Sequence, residues 1–305
     1  MPRGLNRPVT RTALVAVGAV VAAAVAGRWM RHRGAARRGS LTERRLDEDV
    51  ARLSPGPTDD AAVLTAADLD GLPHPARRYL MWMGATGRPR VTAFRARFVG
   101  EFRMKPHGRW MPYESWQYNR ADPVTRLVRM RIDAVRLVPM FGSDTYVDHR
   151  GRMVGKVLGL FTVADGRGRE FDLGELVTYL NDALMLAPSM LLNRSTEWRP
   201  IDEHDFIVTV TDGGNRVSAR CTVDDDGRLV DFVTEDRWYA GTEPPTRATW
   251  STPLERWHML PGGGGRIPSS GSAGWHLPAG DCTYVRGAFD PASITFEYGP
   301  PGATP

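Results

Sequence analysis

The sequence predicts an α+β fold: one large curved antiparallel β-sheet, half-barrel-like, embracing a central helix and preceded by one N-terminal transmembrane helix. Three observations predict it. Residues 171–192 carry the strong helical pattern of the body. Around that stretch, short runs of alternating polarity recur between turn signals, as in antiparallel sheets. Ahead of both, Ala13 to Gly27 runs fifteen residues without a charge or a strongly polar group.

The apolar residues of the central stretch, Leu173, Leu176, Val177, Leu180, Leu184 and Ala187, share one helical face. Asp172 is placed to cap it, with Glu175 three residues on as in a capping box. Pro188 stops it, because the residue before a proline avoids the α region. The other face carries Glu175, Tyr179, Asp182 and Leu186, so the helix is apolar nearly all round and expected to be buried on two sides. Glu175 and Asp182 lie seven residues apart, roughly 10 Å at about 1.5 Å per residue. That is too far for a retaining glycosidase pair, at about 5–5.5 Å, and marginal for an inverting pair, at about 6.5–9.5 Å. The plainer reading makes Glu175 a cap and Asn181 and Asp182 a polar buttress bonded to a neighbouring strand.

The chain divides into a basic tail (1–11), an anchor (12–30), a basic juxtamembrane segment with a short helix and linker (31–70), one globular domain (71–299) and a disordered tail (300–305). With Thr12 and the Trp29-Met30 pair, the apolar segment approaches the ~17 residues that span a bilayer. Ala24-Val25-Ala26 resembles a signal-peptidase site, but the arginines immediately after it disfavour export and favour an uncleaved anchor. Those residues, Arg28, Arg31, Arg33, Arg37 and Arg38, would lie at the membrane surface. They outnumber the three arginines before the segment, which favours a cytoplasmic body on a single-pass cell-membrane protein. In Ser40 to Leu53, Leu46, Val50 and Leu53 fall on one face of a short helix. The packed body is expected to begin near Leu72.

Within the body, Phe94, Ala96, Phe98, Gly100, Phe102 and Met104 alternate with Arg95, Arg97, Val99, Glu101 and Arg103. Trp110–Tyr118 and Val124–Ile132 continue the pattern. Asp148-His149-Arg150-Gly151 reads as a turn into a strand at Met153–Val163. Phe206–Thr211, Val217–Val223 and Arg228–Tyr239 follow the helix, and Pro261 to Gly265 reads as a mobile loop. Arg95, Arg97, Arg103, Arg129 and Arg131 form a stripe that could meet anionic lipid headgroups; the plainer reading is a solvated strand face.

The net charge of +5 is a property of the tail. Residues 1–45 hold ten arginines and one acid, which leaves −4 for the rest and removes support for nucleic-acid binding. Lysine occurs only at 105 and 156. Cys221 and Cys282 are too few for a zinc site or a disulfide scaffold; they read as two buried thiols, the alternative being a pair if the body lies outside the cytoplasm with their Cα atoms within about 7 Å. The seven histidines are scattered, and no phosphate loop, nucleophile elbow or dinucleotide fingerprint is present. No metal and no cofactor are expected.

Leu72-Pro73 with Arg77-Arg78-Tyr79-Leu80, Leu158 to Asp165, Gly174-Glu175-Leu176, Ala187 to Leu192, Trp198 to Asp202 and Arg266-Ile267-Pro268 with Trp275 resemble an uncharacterised bacterial family, domain of unknown function 6544. The resemblance covers about Leu72 to Tyr298 and implies an amino-terminal membrane segment, which members often carry. Many members have Arg at the place of Thr178 and Ala-Glu at that of Asn181-Asp182, so chemistry needing that glutamate would meet a shorter Asp182 here. The predicted shape is also similar to bacterial lipoprotein-carrier half-barrels.

The reading that follows is a membrane-tethered, non-enzymatic protein. It holds a lipid-like or other apolar ligand between the concave sheet and helix 173–187, with Tyr179, Asp182, Leu186, Trp250 and Trp275 as ligand contacts. The alternatives are a hydrolase-type enzyme using Glu175 and Asp182, or an envelope scaffold recognised by an exposed apolar patch.

Overall fold

The computed structural model describes residues 35–53, 63–135, 138–261 and 264–299. The 12–30 segment, Arg28, Arg31, Arg33 and the 300–305 tail lie outside them, as do Gly262 and Gly263 of the expected loop. Among the described residues no helix is long and apolar enough to cross a membrane.

Three α-helices are described: α1 (Ala35–Leu53), α2 (His74–Trp82) and α3 (Arg169–Leu186). Before α3 run β1 (Val91–Phe102), β2 (Met111–Ala121), β3 (Val124–Val135), β4 (Val138–Val147), β5 (Arg150–Val157) and β6 (Phe161–Arg167). After it come β7 (Thr196–Pro200), β8 (Asp205–Asp212), β9 (Asn215–Val223), β10 (Leu229–Thr234), β11 (Trp238–Tyr239), β12 (Thr246–Arg247), β13 (Thr249–Ser251), β14 (Leu254–Met259), β15 (Arg266–His276), β16 (Cys282–Phe289) and β17 (Thr295–Tyr298). Fifteen of the strands form one curved antiparallel sheet in the order β6-β5-β4-β3-β2-β1-β16-β15-β13-β10-β9-β8-β7, with β14 on β15 and β17 on β1. β11 and β12 make a separate two-stranded ribbon.

The sheet is a half-barrel around α3, and thirteen of the eighteen residues of that helix are buried. A helix so placed needs apolar surface on both sides, which its sequence supplies. Gly151 and Gly166 let it approach: a Cβ on the first would sit 2.0 Å from the Phe171 carbonyl oxygen, and on the second 2.0 Å from the Phe171 ring. Near the start of the helix, side chains tie two hairpins of the sheet together. Tyr146 donates to Asp212 at 2.8 Å, and Asn215 donates to the His149 carbonyl at 2.8 Å.

Several expectations are corrected. Asp172 does not cap the helix; Gly168 precedes it, and the Asp172 carboxylate accepts from the Gly151 N–H at 2.8 Å and from Arg150 at 3.0 Å. Met153–Val163 is not one strand but the β5–β6 hairpin, turned by Leu158 and Gly159 at φ 56° and 74°. Packed structure starts before Leu72, since Val63 bridges Pro89 while Leu64 and Leu69 are buried. The short helix expected within 31–70 is present as α1, longer than Ser40–Leu53 and docked on the sheet. Leu46 and Val50 of α1 pack on Ala93, Trp116, Tyr118 and Leu127 of the convex face, while Leu53 is exposed. This docking also corrects the arginine stripe. Arg95 pairs with Asp47 and Arg129 with Asp49, both acids of α1, Arg97 pairs with Glu114 and Asp290, and Arg131 with Asp133. Two of the five arginines therefore seat a helix, and Arg103 donates to the Thr283 carbonyl, so each arginine of the stripe has a partner within the protein.

Candidate binding cavity

Strand alternation puts alternate residues of β1 to β5 on the concave face, and the pairing register arranges them in rows. The row nearest the start of α3 is Phe94, Asn119, Arg126, Tyr146 and Gly151; the next is Ala96, Gln117, Val128, Asp144 and Met153. Then come Phe98, Ser115, Met130, Gly142 and Gly155, followed by Gly100, Tyr113, Ile132, Met140 and Val157. Polarity therefore falls along the strands. Charged and amide side chains stand at one end, and sulfur, aliphatic and aromatic groups about 20 Å away at the other, at about 3.4 Å per residue.

Between this face, α3 and β13 to β16 lies a cavity of about 1240 Å³. Typical small-molecule sites hold about 300–1,000 Å³. Its walls are mainly apolar. Phe98 meets Tyr113 and Phe289 edge-on at 5.9 and 5.3 Å between ring centres, and Phe102 lies 5.9 Å from Tyr113 and 5.8 Å from Tyr284. The opposite wall carries Trp250 and Trp275, paired across β13 and β15. From α3 the cavity receives Phe171, Gly174, Glu175, Thr178, Asn181, Asp182 and Met185, one face of the helix.

At the polar end one guanidinium holds two carboxylates. Arg126 of β3 donates from Nη1 to Glu175 at 2.7 Å and from Nε to Asp182 at 2.8 Å, and all three side chains are buried. Asp144 faces the same space, with its Oδ1 shut off from bulk water and without a hydrogen-bond partner. The Nε2 of Gln117, two strands away in the same row, is likewise unpartnered. Burial disfavours the charged form of each acid and outweighs the pull of Arg126. It pushes the Glu175 carboxyl up to about 8, with the Asp144 charge adding to the shift, and it also raises Asp182 and Asp144. Asn181 exchanges hydrogen bonds with Thr252 at 2.9 and 3.2 Å, tying α3 to the segment after β13.

Among the residues expected at a site, Asp182, Trp250 and Trp275 line the cavity, and so does Glu175. Tyr179 and Leu186 do not. Tyr179 lies about 40° round the helix from Glu175, where it is buried near Arg90. Leu186 is buried beside a separate small pocket near Ser189. Glu175 is not a cap, because its carboxylate is bound by Arg126. The sequence reading missed Arg126, Asp144, Gln117 and Arg237, although a signal existed. In β3 the inward positions read Val124, Arg126, Val128, Met130, Ile132, so Arg126 is a charge on the apolar side of an alternation. Among the described residues no group of His, Cys, Asp and Glu could hold a metal ion.

Fold and cavity define an open, curved-sheet protein with a helix-backed internal chamber. The chain belongs to the family of unknown function DUF6544, whose model matches residues 62–287. Two solved structures are similar at low level. One is a DUF1329 family protein from Desulfovibrio piger, 10% identical over 68% of this chain and 87% of that chain, with a TM-score of 0.37. The other is a β-barrel-like protein of domain of unknown function DUF1849 from Brucella abortus, 10% identical over 68% of this chain and 98% of that chain, with a TM-score of 0.23. No curated protein sequence matches this chain.

Proposed function

We propose that this protein binds a lipid-like or other apolar molecule between its concave sheet and α3, performs no chemistry on it, and works at a membrane through residues 12–30. The observation that carries the reading is the 1240 Å³ cavity with aromatic and aliphatic walls and one polar end. Such a space favours an occupant, because apolar surface facing water is costly in proportion to its area. The anchor, and with it a body on the cytoplasmic side, rests on the uncharged 13–27 run and the arginines after it.

Mass spectrometry tests the reading. Full-length protein is purified in a detergent of known mass and extracted with organic solvent. A stoichiometric apolar compound besides the detergent is expected. An empty extract from protein that remains folded sinks the reading.

The alternative, a hydrolase, has one observation in its favour. Glu175 is a carboxyl held toward its protonated form at the edge of a chamber, as a general acid requires. Asp182, its intended partner, is bound to the same guanidinium. A panel of chromogenic esters and glycosides tests it: turnover lost in Glu175→Gln would favour the enzyme.

A further inference from the structure

Four arginines line the cavity, and three have oxygen partners. Arg126 holds Glu175 and Asp182, Arg103 donates to the Thr283 carbonyl, and Arg167 pairs with Asp165. The fourth, Arg237, has a guanidinium that makes no hydrogen bond and no ion pair among the described residues. Its carbon lies 4.4 Å from the ring centre of Trp250 and 5.5 Å from that of Trp275.

The backbone around Arg237 is fixed. Its carbonyl accepts from the Ala248 N–H at 3.1 Å, and the preceding Asp236 accepts from the Ser218 N–H at 2.8 Å and pairs with Arg247. The indole of Trp250 is fixed as well, donating to the Tyr284 hydroxyl at 3.1 Å. Arg237 is thus a cation laid on two aromatic faces by a rigid frame. A guanidinium stays charged at any accessible pH and carries five N–H donors. Aromatic faces offset part of its charge but accept none of those protons in strong hydrogen bonds. The charge of Arg237 acts on the acids opposite at longer range, drawing the carboxyls of Glu175, Asp182 and Asp144 down against burial, but none of them reaches it with a hydrogen bond: Glu175 and Asp182 are engaged by Arg126, and burial still leaves Asp144 raised. The unpartnered Gln117 Nε2 is a further donor, on the facing wall of the same cavity.

We propose that Arg237 is the anchor for the acidic head group, a carboxylate or a phosphate monoester, of an amphiphile whose tail fills the apolar part of the cavity. This rests on the apolar-ligand reading above and names the chemistry of the ligand's polar end. Guanidinium recognition of such groups is bidentate and geometrically selective, and Arg237 offers an edge for it between the two tryptophans.

The test uses the full chain in detergent and three brominated probes of equal chain length: dibromostearic acid, the corresponding alcohol and the corresponding amine. Bromine quenches tryptophan fluorescence on contact, so Trp250 and Trp275 report occupancy. The acid is expected to bind at least tenfold more tightly than the alcohol. Arg237→Met should reduce the acid to the level of the alcohol while leaving alcohol binding unchanged, and Arg237→Lys should keep part of the preference. An alkyl phosphate of the same length, run beside the acid, tells which anionic head the site favours. Equal binding of acid and alcohol, tighter binding of the amine, or an Arg237→Met variant that keeps the preference overturns the proposal while leaving the cavity reading standing. Binding of none of the probes removes both.

Discussion

Glu175 and Asp182, two turns apart on α3, are joined through a single guanidinium, that of Arg126, at 2.7 and 2.8 Å. The seven-residue spacing that rules out a close carboxylate pair is the spacing one arginine spans with two different nitrogens. Removing Arg126 strands two buried acids, so Arg126→Met is expected to destabilise the protein by about 3–5 kcal/mol. Urea denaturation followed by tryptophan fluorescence measures this. A loss below about 1 kcal/mol would mean that the network carries little of the stability.

The same cluster sets a pH dependence. The Glu175 carboxyl is raised from 4.5 to about 8 in the folded protein, chiefly by burial. The folded state therefore binds this proton more tightly than the unfolded chain. The favourable contribution is complete below about pH 4.5 and is lost as pH rises to about 8. Glu175→Gln should flatten that fall. Thermal midpoints of both proteins between pH 5 and 9 check it, and parallel curves would contradict it.

Leu46 fixes α1 on the outside of the sheet, in a cluster separate from the main core. Leu46→Ala is expected to cost about 2–5 kcal/mol at that contact. The effect should be local: α1 becomes cleavable by protease while probe binding in the cavity is unchanged. Loss of the whole fold at the same protease dose would show that the helix is integral to the core.

Both cysteines are free and buried, but their surroundings differ. Cys221 is fully enclosed, and burial pushes its thiol well above its ordinary range, so it should stay unreactive until the protein unfolds. Cys282 lines the cavity. A small apolar maleimide should reach it slowly, a charged thiol reagent should not, and an occupied cavity should protect it. Peptide mapping after timed labelling distinguishes the two sites.

Much of the architecture is legible in the sequence because it depends on local periodicity. The α3 stretch is the longest helical pattern in the body, and the β1 alternation gives both the concave and the convex face. Legibility fails where a distant partner decides. Asp172 has the composition of a cap, yet a strand amide more than twenty residues upstream takes its carboxylate. β4 is not legible, because Pro139, Gly142, Ser143 and Asp144 interrupt its apolar character; of these, Gly142 and Asp144 face the chamber. The arginine stripe is visible as a stripe, but the counter-charges of Arg95 and Arg129, Asp47 and Asp49, lie on a helix whose local pattern shows an apolar face without showing which surface receives it. Of the site, the tryptophans stand out by residue type. Arg126 and Asp144 become visible only when the parity of each strand is checked for charges on the wrong side.

The docking of α1 has a mechanical consequence. Residue 30 closes the apolar segment and residue 35 opens a helix clamped to the sheet through Leu46 and Val50, so four residues and five Cα-to-Cα steps separate the two. Fully extended they reach about 18 Å. A body joined in this way is not a buoy on a long line that samples a broad shell of space. Under the anchoring proposed above it would be a bracketed fixture: a membrane holding residue 30 would also limit the height of the half-barrel and the angles its opening can take. Lengthening the 31–34 segment would change that reach without touching the cavity itself.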